Sequence, residues 1–166
     1  MKVATIVASI LVACAVGGGA WMALGAKEQA PTVAYTVLDG TKIDSSQLRG
    51  KVVLVNFWAT SCVTCVHEMP QMVATHQMFA GQGFETMAVA MQYDPPAYVV
   101  NFAETRKLPF KIVLDNTGTI ARSFGDVQLT PTSVLINKRG EVVKRYVGEP
   151  DFVALQSLVK KLLAET

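Results

Sequence analysis

The sequence predicts an α/β domain with a central mixed sheet, preceded by a single membrane-spanning segment. Three observations carry that prediction. Apolar runs of strand character alternate with helical stretches, and the C-terminal part reads as a hairpin followed by an amphipathic helix. The stretch from Val3 to Ala26 also contains no charged residue. With 166 residues, 51% hydrophobic and 17% charged, the chain suits one domain with an appendage and excludes a multidomain enzyme. A formal net charge of +2 on so apolar a chain excludes a disordered protein. Lys and Arg are scattered rather than gathered into a stripe, which argues against a nucleic-acid partner.

As a helix, the uncharged segment would rise roughly 36 Å, enough to cross the ~30 Å hydrocarbon core of a bilayer. Residues 1–26 are therefore expected to form an uncleaved transmembrane anchor, with 27–32 as a short linker and 33–166 as the folded domain. Lys2 and the amino terminus favour a cytoplasmic N-terminus, and the domain then faces the periplasm or exterior of a bacterial cell. The rival reading is a lipobox at Leu11-Val12-Ala13-Cys14. The apolar run continues well past Cys14, which favours the anchor. Both readings put the domain outside the cytoplasm.

Along the domain, Val33–Val37 reads as a strand and Asp39-Gly40 as a turn. Lys51–Phe57 (KVVLVNF) is apolar and β-branched, as a strand buried on both faces would be. A helix is expected from near Cys62 to about Phe79, with Pro70 inside it. Phe84–Met91 reads as a second buried strand. Pro95-Pro96 opens a helix to about Lys107, since proline suits a first helical turn. A short strand at Phe110–Leu114 leads through Asp115–Gly118 to a short helix ending near Phe124. Ser133–Ile136 and Glu141–Val147 flank a hairpin turn at Asn137–Gly140. Asp151 is placed to cap a last helix with Phe152, Leu155, Leu158, Val159 and Leu162 at helical spacing.

Cys62 and Cys65 follow a buried strand and open a helix. Unpaired N–H groups and the partial positive charge at a helix start stabilise a thiolate, so Cys62 is expected to be the attacking nucleophile. Cys65, about one turn further in, faces back and can close a disulfide with it. A purely structural bridge is disfavoured because it would close almost no loop. A zinc site would need further ligands, yet the domain offers only His67 and His76 besides the pair. Haem attachment needs histidine directly after the second cysteine, where Val66 stands.

The segment Asn56-Phe57-Trp58-Ala59-Thr60-x-Cys62-x-x-Cys65-x-x-Glu68-x-Pro70 resembles the active-site signature of the TlpA/ResA branch of thioredoxin-like proteins. Thr130-Pro131-Thr132-Ser133-Val134-Leu135-Ile136-Asn137, Gly140 and the apolar leader extend the resemblance over essentially all of 33–166. It implies a thioredoxin-like fold with an N-terminal hairpin and a helix-strand insertion, which Pro95–Leu114 fits. It also implies a membrane-anchored, extracytoplasmic thiol-disulfide oxidoreductase.

On that resemblance Cys62 is the exposed nucleophile, Cys65 the resolving thiol, and Cys62–Cys65 the redox-active disulfide. Trp58 matches the aromatic beside the site, while a core aromatic at a strand end is a compatible reading. Thr130 and Pro131 match the substrate-facing loop with its cis-proline. Glu68 matches the active-site glutamate, an acid/base candidate one turn beyond Cys65. Asn56 stands where thioredoxin has a buried aspartate. Ser61 and Thr64 depart from the tryptophan and proline common in the branch, and such positions tune reduction potential.

The implied function is reduction of protein disulfides on exported clients, either apocytochrome c or copper-protein cysteines. Electrons would come from a membrane donor of the DsbD/CcdA kind, with no soluble cofactor and no metal. A thiol oxidase or isomerase is the alternative of the same chemistry. A copper-binding chaperone module is the alternative of another class, because thiolates and thioethers suit Cu(I). Met69, Met72 and Met78 lie nearby, but Met69, Met72, Val73 and His76 fall at core-like helical spacing. A redoxin-type peroxidase would need a proline and threonine before a lone cysteine, and only Thr60 is in place.

Overall fold

In the computed structural model, residues 27–165 are described. The expected anchor at 1–26, with Cys14, lies outside them. Among the described residues no helix is long and apolar enough to cross a membrane.

Two short strands, β1 (Ala34–Thr36) and β2 (Lys42–Asp44), pair antiparallel as a hairpin. The main sheet comprises β3 (Val52–Trp58), β4 (Phe84–Ala90), β5 (Lys111–Leu114), β6 (Thr132–Ile136) and β7 (Val142–Val147). Its order is β5-β4-β3-β6-β7, with β3, β4 and β5 parallel and β6 and β7 antiparallel to their neighbours. The helices are α1 (Val63–Phe79), α2 (Pro96–Thr105), α3 (Thr119–Ser123) and α4 (Phe152–Ala164). This is the expected mixed sheet flanked by helices. The strand β2 had no signal of its own in the residues, and the hairpin it completes was implied by resemblance alone.

Strand β3 is central because every one of its residues can be buried. Its side chains alternate between faces: Val52, Leu54 and Trp58 join α1, α2 and α4 in one core, while Val53, Val55 and Phe57 join Tyr35, Ile120 and Phe124 in the other. On α4, Phe152, Leu155, Val159 and Leu162 form the inward stripe, and the Asp151 carboxylate accepts from the Val153 and Ala154 N–H groups. The segment 27–32 runs along the domain: Ala30 N–H donates to Gly140 O at 2.9 Å and Val142 N–H to Glu28 O at 2.7 Å.

By strand alternation Asn56 points to the same face as Leu54 and Trp58, toward α1. Ser133 lies directly opposite it on β6, on the face that also carries Leu135. Two polar side chains thus sit side by side on the face toward α1, at the end of β3 that leads to Cys62.

Candidate active site

The chain leaves β3 at Trp58 and turns at once, with Cys62 N–H donating to Ala59 O at 3.1 Å. Cys62 has extended backbone angles and caps α1, its Sγ accepting from the Cys65 N–H at 3.2 Å. Capping residues usually offer an oxygen here. A sulfur in that place is a weak acceptor as a thiol and a strong one as a thiolate, so the helix start favours ionisation. Cys62 and Cys65 are joined as a disulfide with their Cα atoms 5.2 Å apart. Cys65 is fully buried and Cys62 partly exposed, so an incoming thiolate can reach the Cys62 sulfur and not its partner.

Glu68, three residues beyond Cys65, is only 1% exposed. Asn56 Nδ2 donates to Glu68 Oε1 and to Ser133 Oγ, each at 3.0 Å. Glu68 Oε2 and Asn56 Oδ1 are buried without a partner. Burial pushes the Glu68 carboxyl up to about 7, the Asn56 hydrogen bond opposes the rise, Glu149 adds to it and His67 works against it. A carboxyl carrying its proton is cheaper than a carboxylate in such surroundings. At the rim, His67 Nδ1 and Glu149 Oε2 lie 3.0 Å apart.

The loop before β6 reaches the same end of the sheet, because Thr132 pairs with Phe57 near the end of β3. Its Thr130-Pro131 bond is cis. Pro131 O accepts from Gly148 N–H at 2.8 Å, and Thr130 Oγ1 lies 3.2 Å from the Tyr93 hydroxyl. Trp58 is completely buried, its ring 5.3 Å from that of Phe102. It lies in the same core cluster as Cys65, at the end of β3 that leads to Cys62. Met69 and Met72 are likewise core residues, while Met78 is exposed.

Sequence reading singled out Asn56 without its contact to Glu68, and gave Ser133 no role. The signal for Asn56 was a lone polar residue in an apolar strand, and for Ser133 a polar residue in a buried one. Tyr93 and Asp94 were missed, since their partners Thr130 and Thr60 stand on other loops.

A parallel-antiparallel sheet with an exposed-buried cysteine pair at a helix start, beside a cis-proline loop, defines a thioredoxin-type disulfide-exchange protein. Comparison with known proteins agrees. The Redoxin family model matches residues 25–160. Over 135 residues the chain is 35% identical to thiol-disulfide oxidoreductase ResA of Bacillus thuringiensis subsp. konkukian, covering 81% of this chain and 77% of that one. It is similar to the solution structure of a candidate thioredoxin from Neisseria meningitidis, with TM-score 0.78, 37% identity and coverage of 85% and 93%. A thiol:disulfide interchange protein of Chlorobium tepidum aligns with TM-score 0.77 and 28% identity, over 84% of this chain and 99% of that one. The chain belongs to the Redoxin family, within its TlpA/ResA-like thioredoxin branch, and is a thiol-disulfide oxidoreductase.

Proposed function

We propose that the protein is a membrane-anchored, extracytoplasmic reductase of disulfides in exported proteins, with apocytochrome c or copper-protein cysteines as its clients. The observation that carries the reading is the asymmetric pair: a reachable sulfur at a helix start, a buried sulfur behind it, and a buried carboxyl one turn further. In the reduced protein the Cys62 thiolate attacks one sulfur of a client disulfide. A mixed disulfide forms and the other client sulfur leaves as a thiolate, which takes up a proton. Cys65 then loses its proton and attacks the Cys62 sulfur, releasing the second client thiolate and closing Cys62–Cys65.

Glu68 is suited to accept the Cys65 proton, because a carboxyl raised to about 7 is near balance at neutral pH. Thr130 and Pro131 form the loop against which the client segment lies. The oxidised pair is re-reduced by two electrons from a membrane dithiol donor of the DsbD/CcdA kind. The anchor at 1–26 keeps the domain near that donor.

Cys65→Ser stalls exchange at the mixed disulfide. Expressed in cells, it is expected to accumulate bound to an exported cysteine protein, identifiable by mass spectrometry. Acid trapping of cellular thiols, followed by a mass-tagged alkylator, is expected to find the wild-type pair mostly reduced. A pair mostly oxidised with the donor intact would replace the reductase reading by an oxidase or isomerase one.

A further inference from the structure

The loop between β4 and α2 touches both walls of the site. Met91 N–H donates to Trp58 O at 3.0 Å, continuing the pairing with β3 one residue past the end of β4. Three residues on, Asp94 is only 4% exposed, and both its oxygens are engaged by a single residue. Thr60 N–H donates to Oδ2 and Thr60 Oγ1 to Oδ1, each at 2.6 Å. The neighbouring Tyr93 reaches the other way, its hydroxyl 3.2 Å from Thr130 Oγ1, directly before Pro131.

We propose that Tyr93 and Asp94 are positioning residues, a brace that fixes the cysteine loop and the cis-proline loop relative to each other. The proposal rests on the reading of Cys62 as the attacking sulfur and of Thr130-Pro131 as the client-facing loop. Two short hydrogen bonds from one side chain converge on the residue two places before Cys62, holding both its backbone N–H and its hydroxyl. With Thr60 held, the turn from Ala59 to Cys62 is held too, and with it the capping position of the Cys62 sulfur. The Asp94 N–H closes its own turn on Met91 O at 2.9 Å, and Pro95 follows directly, so the brace is stiff.

Core packing does not account for the Tyr93 contact, because Tyr93 is 55% exposed. The residue is exposed while its hydroxyl lies within hydrogen-bond distance of Thr130 Oγ1. Adjacent residues on one short loop therefore set the gap between the sulfur and the loop opposite, and a client segment must fit that gap.

The test separates geometry from charge. Asp94→Asn can still accept from Thr60 N–H through Oδ1 and donate to Thr60 Oγ1 through Nδ2, whereas Asp94→Ala loses both contacts. In the full chain, kcat and KM are measured on a protein disulfide, with the pH profile of Cys62 alkylation. Asp94→Ala is expected to shift the alkylation profile and lower kcat/KM by about 10- to 100-fold, the scale of a misplaced reacting group. Asp94→Asn is expected to recover most of that loss. Tyr93→Phe is expected to raise KM about fivefold, the worth of one neutral hydrogen bond, with a smaller effect on kcat.

Should Asp94→Ala fail to fold, Tyr93→Phe and Thr60→Val decide, the latter expected to shift the alkylation profile in the same direction. Variants that leave KM and the alkylation profile at wild-type values would overturn the brace. So would an Asp94→Asn as impaired as Asp94→Ala. A wild-type protein that exchanges no disulfide, or alkylates first at Cys65, would overturn the underlying reading and the brace with it. An active wild type with indifferent variants overturns the brace alone.

Discussion

Glu68→Gln is expected to make the protein more stable and less active, by amounts that depend on pH. The carboxyl rises from its ordinary 4.5 to about 7 on folding, chiefly through burial. The sign follows from proton counts. Below about pH 4.5 the group is neutral in the folded and unfolded chain, and it contributes nothing to pH dependence. Between about 4.5 and 7 the unfolded chain releases the proton while the folded one keeps it, so stability falls as pH rises. Above about 7 both are ionised, and the loss levels off at about 3 kcal/mol.

Against a typical total of about 5–15 kcal/mol, that is a large share. Glutamine keeps the shape and the acceptor for Asn56 Nδ2, and its amide can donate to Asn56 Oδ1, which has no partner in the wild type. Urea unfolding of the oxidised proteins from pH 4 to pH 8 checks this. The variant should gain about 3 kcal/mol over wild type at pH 8 relative to the difference at pH 4. Its rate of protein-disulfide reduction should drop at neutral pH, by about a hundredfold if proton transfer limits the step. A stability difference that stays constant across the range would refute a titrating Glu68, and an unchanged rate would refute its part in the exchange.

Other expected outcomes follow from the same structure. Alkylation of the reduced protein at neutral pH should label Cys62 before Cys65, as mass mapping of the modified peptides would report; faster labelling of Cys65 reverses the two roles. Leu155→Ala, at the centre of the α4 stripe, should cost about 2–5 kcal/mol in denaturant unfolding. Asp151→Ala should cost about 1 kcal/mol in the same assay, because the carboxylate that caps α4 is lost. Asn56→Asp places a second carboxyl against Glu68 Oε1. The two should then titrate as a coupled pair with one value driven above that of Glu68 alone, visible by NMR titration of the side-chain carboxyls.

What was legible in the sequence had a periodic cause. KVVLVNF reads as a buried central strand because nearly every position is apolar, and its neighbours bury both of its faces. The α4 stripe and its cap read out together for the same reason. The strand β2, Lys42-Ile43-Asp44, is too short and too exposed to carry a pattern, and it exists through its pairing with β1. The cysteine pair was legible from its spacing and its place after a strand. The burial of Glu68 was not, because helix spacing places it near Cys65 without saying what covers it. The answer lies on another element, at Asn56 and, through the β3–β6 register, at Ser133. Tyr93 and Asp94 were illegible for a related reason, since their partners stand on two other loops, distant in sequence.

These pieces meet because of where β3 ends. A parallel neighbour on one side and an antiparallel one on the other bring three different chain segments to a single end of the sheet: the start of α1, the loop after β4 and the loop before β6. None of the three carries the chemistry alone. The helix start supplies a stabilised sulfur, the β3–β6 pair supplies the polar contacts beneath Glu68, and the β4 loop ties the first segment to the third. Exchange at the Cys62 sulfur needs that sulfur ionised, exposed and held opposite a client segment. The helix start bears on the first two conditions, and the loops after β4 and before β6 bear on the third. Alkylation reads the sulfur, pH-dependent stability reads Glu68, and KM for a protein disulfide reads the gap.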